Sequence, residues 1–195
     1  MTTVIVVIVV VVVLLLVAAA ILVPRMRSRR LQEQFGPEYQ RTVASSGDQR
    51  AAEKDLHERE HRRKELEIRP LDPGIRDAFA QRWRSTQEMF VDAPTEAVGT
   101  ADTLVQEVMA ERGYPVGDFE QQARDVSVDH AEVVSEYHAA HEISLLNTRG
   151  QASTEQLREA MVHYRTLFAE LLHDGDDSSG VTGPGPDRRG DQGPP

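Results

Sequence analysis

An uninterrupted apolar run near the start of the chain constrains the fold more than any other feature of the sequence. Residues 4–23 comprise 17 Val, Ile or Leu and three Ala, with no polar side chain among them. At about 1.5 Å of rise per residue, a helix of this length spans roughly 30 Å, which matches the hydrocarbon thickness of a bilayer. Because lipid offers no hydrogen-bond partners, the backbone of such a segment must pair internally as a helix. The run therefore predicts a single transmembrane helix.

A cleaved signal peptide is the alternative interpretation of this run, since Ala18-Ala19-Ala20 resembles a cleavage site. An uncleaved anchor is favoured because no basic residue precedes the run, the run is long, and arginines follow it at once. Those arginines are Arg25, Arg27, Arg29 and Arg30. The positive-inside rule then predicts that the C-terminal body lies in the cytoplasm. The same side chains are also suited to contact anionic lipid headgroups.

Composition excludes several classes of function. The formal net charge of −10 argues against nucleic acid as a partner, because binding a phosphate backbone needs clustered Lys and Arg. The chain has no cysteine, which excludes disulfides, thiolate metal sites and cysteine nucleophiles. No phosphate-binding loop, dinucleotide-binding glycine motif or nucleophile-elbow motif occurs in the sequence. We therefore expect a protein that is not an enzyme and holds neither cofactor nor metal.

The rest of the chain has the pattern of an all-α protein, with no convincing alternating strand. Residues 31–47 are expected to be short and broken, because Gly36-Pro37 and Ser45-Ser46-Gly47 interrupt them. Residues 48–67 predict a solvated polar helix supported by i,i+4 ion pairs such as Glu58 with Arg62. The expected domains are an anchor with its basic flank over 1–30, a charged juxtamembrane spacer over 31–69, a helical bundle over 70–173 and a disordered tail over 174–195.

The segment 70–173 carries the amphipathic patterns and the capping residues of a bundle. Asp72-Pro73 predicts a helix start, and Gly113 predicts a helix end. Pairs with capping-box spacing begin with Asp118, Asp129 and Ser153. Short connections between the longer helices favour an antiparallel bundle of about four helices. The predicted helices cover 73–91, 94–112, 119–125, 130–148 and 154–172.

Residues 57–61 match the H-E-x-x-H zinc signature, in which two histidines one helical turn apart bind the metal and the glutamate acts as base. A metalloprotease helix is buried beside a cleft, whereas this one carries charge on nearly every side. We therefore interpret the match as an exposed charged helix. Glu58 with His61, and Glu170 with His173, have the spacing of di-iron motifs. Their places on the spacer and at a helix end argue against that chemistry.

Four histidines, His130, His138, His141 and His163, lie within the predicted bundle. His138 and His141 are i,i+3 and have the spacing to bind a metal or to sense pH. Half-buried, hydrogen-bonded histidines are the commoner outcome at such positions. The alternative function is therefore a membrane-tethered sensor that binds a small ligand or metal through His138, His141 and His163.

Three aromatic residues, Phe79, Trp83 and Phe90, recur along one side of the helix predicted over 73–91. Such a stripe lines either a ligand pocket or the core. We expect core packing, because buried aromatic side chains dominate the energetics of protein interiors.

Several strings of the chain together resemble a family of small bacterial single-pass membrane proteins that is common in actinobacteria. They lie over 35–39, 69–73, 111–120, 126–130 and 160–168, and the resemblance runs over about 31–172. It implies a membrane anchor and brings no activity, cofactor or catalytic residue with it. The leading hypothesis is a non-enzymatic helical domain, held in the cell membrane by residues 4–23, that binds a protein partner or associates with itself.

Overall fold

A computed structural model describes the backbone of residues 2–173 and the side chains of Leu22 and of residues 25–173. Within this part of the chain every regular element is an α-helix and no strand occurs, which confirms the all-α prediction. The tail predicted over 174–195 lies outside the described residues. The helices are α1 (Thr2–Ser46), α2 (Gln49–Glu65), α3 (Pro73–Met89), α4 (Pro94–Arg112), α5 (Phe119–Val126), α6 (Val134–Thr148) and α7 (Thr154–His173).

The predicted anchor over 4–23 falls, apart from Leu22, on residues whose side chains lie outside the described part of the structure. Their backbone belongs to helix α1. Among the residues that are described in full, no helix combines the length and the apolar character that crossing a membrane requires. The transmembrane helix therefore stays a prediction from the sequence.

The breaks predicted within residues 31–47 are confirmed at Gly36, whose φ and ψ are non-helical, and at Gly47, which follows the end of α1; the stretches beside and between them are helical. Helix α1 continues to Ser46 and contains one non-helical residue, Gly36, at φ 43° and ψ −121°. Glycine accepts this positive φ without the steric penalty of a side chain. Pro37 then occupies the first turn of the second helical stretch, where a missing backbone N–H costs nothing. The Gly36-Pro37 pair therefore separates two helical stretches of α1 with a kink.

Helices α1 and α2 pack against each other as a hairpin with a small core of its own. Leu31, Phe35, Tyr39 and Leu56 are each at most 3% exposed in this core. Asp48 caps α2, since its Oδ1 accepts a hydrogen bond from the backbone N–H of Arg50 at 3.2 Å. The interpretation of α2 as a solvated spacer was wrong, because an apolar stripe of only a few residues suffices to bury one side of it.

Helices α3, α4, α6 and α7 pack together around the main core, which supports the predicted helical bundle. Trp83 stacks on Phe168, with ring centroids 4.7 Å apart and planes 20° from parallel. Phe79 and Trp83 are 8% and 6% exposed, so the prediction that they are core residues is confirmed. Phe90 packs against the same core but is only partly buried.

The predicted helix ends are confirmed for α4 and α7 but not for α6. Gly113 follows α4 at φ 97°, the left-handed conformation that favours glycine. At the start of α7, Ser153 Oγ accepts from the N–H of Gln156, and Gln156 Oε1 accepts from the N–H of Ser153. Helix α6 begins at Val134, four residues later than the start predicted at 130. The reason is that Asp129 does not cap a helix; its carboxylate accepts a hydrogen bond from the Tyr114 hydroxyl at 2.8 Å.

Candidate functional site

Three arginines of α2, Arg59, Arg62 and Arg63, form the most concentrated set of tertiary ion pairs in the described residues. Positions i, i+3 and i+4 lie on one side of a helix. This side faces α5 and the connection between α5 and α6, which belong to the bundle. We refer to the contacts that these arginines make with α1 and with residues 125–129 as the arginine interface.

Arg59 lies at the centre of the arginine interface. Its Nη1 donates to Glu38 Oε1 of α1 at 2.8 Å and to Ser127 Oγ at 3.1 Å. Its Nη2 lies 2.7 Å from Asp55 Oδ2, one turn earlier in α2. The side chains of Arg59 and Glu38 are only 10% and 5% exposed. A buried charge needs partners of this kind, because removing it from water is otherwise strongly unfavourable.

Arg62 and Arg63 extend the interface toward the start of α6. Arg62 Nε donates to Asp125 Oδ1 at 2.8 Å, and the Asp125 side chain is 1% exposed. Gln121 Nε2 donates to the same oxygen at 2.9 Å. Arg63 pairs with Asp129, which also accepts from Tyr114. Each of the three arginines therefore contacts the bundle through a different residue of 125–129.

A cavity of about 210 Å³ opens beside the arginine interface, between the hairpin and the bundle. We refer to it as the interface cavity. Its walls are mostly polar or charged, and Glu38 and Arg59 are the most buried charged residues among them. Glu38 Oε2 is buried and has no hydrogen-bond partner among the described residues. The complete lining is Glu38, Arg41, Thr42, Ser45, Arg59, Glu120, Ala123, Arg124 and His138.

His138 is the one predicted site residue that lines the interface cavity. Burial lowers the pKa of His138 below its ordinary value, and the nearby charge of Arg41 lowers it further. Its ring meets the face of Phe119 edge-on, with centroids 5.1 Å apart. The His138 ring is therefore neutral near pH 7, and its two nitrogens face their surroundings without a net charge.

The other two histidines of the proposed sensor, His141 and His163, contact different residues from each other. His141 stacks on Phe119 with centroids 3.6 Å apart. His163 Nδ1 lies 2.6 Å from Glu136 Oε2. Within residues 25–173, no group of three or more His, Asp or Glu has an arrangement that would hold a metal ion. The structure thus places His138 and His141 beside the same aromatic ring and joins His163 to a carboxylate instead.

The H-E-x-x-H residues lie on the side of α2 that faces away from the arginine interface. His57 and His61 are exposed, and His57 Nδ1 contacts Glu60 Oε2 at 3.0 Å. Glu58 pairs with Lys54 at 3.4 Å in solvent. A zinc site needs a third protein ligand and a substrate cleft, whereas the groove beside these residues also carries Arg27, Arg50 and Lys54.

The second Glu-x-x-His pair is also engaged elsewhere. Glu170 Oε1 lies 3.4 Å from the buried His130, and His173 Nδ1 lies 2.7 Å from the carbonyl oxygen of Ala169. His130 in turn lies 3.3 Å from Arg112 Nη1. These contacts stabilise the C-terminal end of α7 against the end of α4.

A second candidate surface is a groove between the C-terminal end of α3 and the middle of α7, which we call the α3–α7 groove. Its apolar floor comprises Phe90, Met161 and Val162, and two arginines, Arg158 and Arg165, border it. Val162 is 37% exposed, and Val91, which follows Phe90 in the chain, is 83% exposed. The full lining is Gln87, Phe90, Arg158, Met161, Val162 and Arg165.

Sequence reasoning identified neither of these features, although a signal for the arginine interface is present. The sequence pattern placed Arg59, Arg62 and Arg63 on a solvated polar helix, where charge lies on nearly every side. Asp125, Ser127 and Asp129 recur at alternate positions at the end of a short helix. An arginine face on one helix and a matching acidic run elsewhere indicate mutual contact only when their proximity in the fold is known.

Comparison of the chain with protein families, with curated proteins and with solved structures gives no match.

Proposed function

We propose that this chain is a membrane-anchored, non-enzymatic helical module that binds a protein partner through the α3–α7 groove. Residues 4–23 hold it in the lipid bilayer, and the body lies on the cytoplasmic side. The observation that carries the proposal is a set of partly exposed apolar side chains bordered by arginines. Single exposed apolar residues are ordinary, but apolar residues gathered in a groove with a polar rim are typical of interaction sites.

The groove has the chemistry to bind an acidic segment with an apolar anchor residue. Phe90, Met161 and Val162 offer an apolar floor, and Arg165 lies where an acidic flanking residue would pass. Arg158, the other bordering arginine, is paired with Glu155 and would exchange that carboxylate for one of the partner. Arginine suits this role because its planar guanidinium binds a carboxylate through two parallel hydrogen bonds. Since the chain is itself acidic, a second copy is one source of such a segment, and another protein is the other.

Photocrosslinking in intact membranes tests the proposal. A photoreactive phenylalanine analogue at Val162 should crosslink to a peptide rich in Asp and Glu, identified by mass spectrometry. The same probe at Val116, which is 72% exposed and outside the groove, is the matched control. The Val162 crosslink should disappear when Arg158 and Arg165 are both changed to Glu, because like charges then face each other across the contact.

The identity of the crosslinked peptide separates the possible outcomes. A peptide from this chain would show self-association through the groove, and a peptide from one other protein would identify the partner. Crosslinks that are equal at Val162 and Val116, or that survive the two charge reversals, would refute the proposed site.

The orientation has a direct test because the chain contains no cysteine. A single Val116→Cys substitution should be protected from a membrane-impermeant maleimide in intact cells and should react after permeabilisation. Thr2→Cys, at the other end of the predicted anchor, should show the reverse. Labelling of Val116→Cys in intact cells would place the body outside and contradict the prediction from the arginines.

A further inference from the structure

The interface cavity has an unsatisfied acceptor at its buried end. Glu38 is 5% exposed, and its Oε1 already accepts from Arg59. The second oxygen, Oε2, is buried without a hydrogen-bond partner among the described residues. Buried polar atoms in proteins are nearly always paired, so Oε2 calls for a donor, which an ordered water, an ion or a ligand would supply. A carboxylate oxygen is best satisfied by a charged N–H donor such as an ammonium group.

The outer part of the same cavity has the opposite character. Arg41 and Arg124 are exposed and line the cavity, so their guanidinium groups are accessible to a carboxylate. Arg59 does not add to this positive charge, because Asp55 and Glu38 both pair with it. Glu120 also lines the cavity, so the exposed part carries two arginines against one carboxylate and keeps a net positive charge. A cavity with a carboxylate at its buried end and a net positive mouth matches a molecule that carries one positive and one negative end.

The size of the cavity limits the ligand to a small molecule. Its volume of about 210 Å³ lies below the roughly 300–1,000 Å³ of pockets that hold drug-sized ligands. A nucleotide or a folded peptide is therefore too large. The half-buried His138 adds a neutral hydrogen-bonding group to the wall, whereas the buried Thr42 hydroxyl already donates to the carbonyl oxygen of Glu38 at 2.9 Å.

We propose that the interface cavity binds a small amino-carboxylate zwitterion of the α-amino-acid class. The ammonium group donates to Glu38 Oε2, and the carboxylate accepts from Arg41 and Arg124. Such a ligand contacts α1 of the hairpin and α5 of the bundle at once, so its binding stabilises their docked arrangement. A ligand that binds only the docked state shifts the population toward it.

Isothermal titration calorimetry on the full chain in lipid nanodiscs tests this proposal. The probes are the individual α-amino acids, an amine without a carboxylate and a carboxylate without an amine, each offered at millimolar concentrations. At least one amino acid should bind with saturation, and both single-charge probes should bind far more weakly. Glu38→Gln should weaken binding about 10- to 100-fold, which is the loss expected for one charge-assisted hydrogen bond.

Two further variants keep the test independent of folding. Arg124→Gln changes an exposed residue of the cavity mouth and should also weaken binding. Arg84→Gln changes an exposed residue of α3 outside the cavity and should leave binding unchanged. No saturable binding by any amino acid overturns the proposal, and so does equal binding of the amine alone. Because the cavity and the α3–α7 groove share no residue, failure here leaves the crosslinking result unaffected.

Discussion

Removing Arg59 should open the α1–α2 hairpin more effectively than any other single polar substitution in α2, because its guanidinium pairs with the buried Glu38 of α1. We consider Arg59→Met, which keeps an unbranched apolar stem and removes the guanidinium. In the variant, Glu38 keeps its burial of 95% but loses its ionic partner at 2.8 Å. Ser127 loses a donor at the same time. The hairpin then either retains an uncompensated buried carboxylate or opens to hydrate it.

The expected cost follows from this burial. Breaking a buried ion pair by removing one partner typically costs about 3–5 kcal/mol, most of which is the penalty for the charge left behind. Asp55 should contribute little, since its side chain is 33% exposed and can be hydrated in place. We therefore expect the free energy of opening the hairpin to fall by about 3 kcal/mol, the lower end of that range. At 1.4 kcal/mol per factor of ten, this corresponds to roughly a hundredfold larger open population.

Hydrogen–deuterium exchange followed by mass spectrometry measures this opening on the full chain in nanodiscs. Peptides from α2 should exchange about a hundredfold faster in Arg59→Met than in the parent chain. Peptides from α4, whose residues lie in the main core, should change far less. The double variant Arg59→Met with Glu38→Leu should recover most of the lost protection, because it replaces both charges by apolar groups.

The matched control is Arg158→Met, which breaks an ion pair with Glu155 whose side chains are 58% and 64% exposed. This variant should show no measurable change in α2 exchange. Two results would refute the reasoning: Arg59→Met behaving like the control, or the double variant exchanging as fast as the single one. The first would mean that the interface contributes no stability, and the second that the buried Glu38 charge is not the cause.

Three shorter predictions concern other parts of the chain. Gly113→Ala should lower the free energy of unfolding, measured by denaturant titration, by about 1–3 kcal/mol or more. At this position φ is 97°, and a Cβ would lie 2.4 Å from the Glu67 carbonyl oxygen. Gly99→Ala, with open space around it, should instead be stabilising. Folding lowers the pKa of His138, so the contribution of this residue to stability is complete above pH 6.5 and is lost as the pH falls through its pKa in the folded state. His138→Gln should therefore reduce the loss of thermal stability on acidification. A pH profile of melting temperature unchanged in this variant would contradict that assignment. Trp83→Ala should cost about 3–5 kcal/mol, as expected for a core aromatic, and a cost near zero would indicate a ligand pocket instead.

The bundle could be predicted from the sequence because local signals and apolar periodicity agree there. The start of α3 at Pro73, the end of α4 before Gly113 and the capping box at Ser153 all lie where the residues indicate. These signals act over one or two helical turns, so they can be read without knowledge of the fold. Asp129 shows the limit of such local signals. Its carboxylate has the spacing of a helix cap, but it pairs with Arg63 and Tyr114, two residues that are remote in the sequence.

The hairpin could not be predicted in the same way. Its core uses one apolar residue per turn of α1, at Leu31, Phe35 and Tyr39, and is completed by Leu56 and the small Ala52 of α2. So narrow an apolar stripe does not stand out in the sequence, because charged residues dominate the composition around it. Gly36-Pro37 predicts the break that the structure has at Gly36, but that the chain is helical on both sides of it and packs on α2 depends on tertiary contacts.

The docked hairpin changes what the charged region between anchor and bundle does. A solvated spacer would leave the bundle free to move relative to the bilayer, so that a partner site on it would have no fixed direction. Instead, α1 runs on from the predicted anchor into the hairpin, and Arg59, Arg62 and Arg63 join that hairpin to residues 125–129. If residues 4–23 span the membrane, the arginine interface determines the direction in which the α3–α7 groove faces. Because buried ion pairs contribute to this interface, loss of one charge should also make it open more readily.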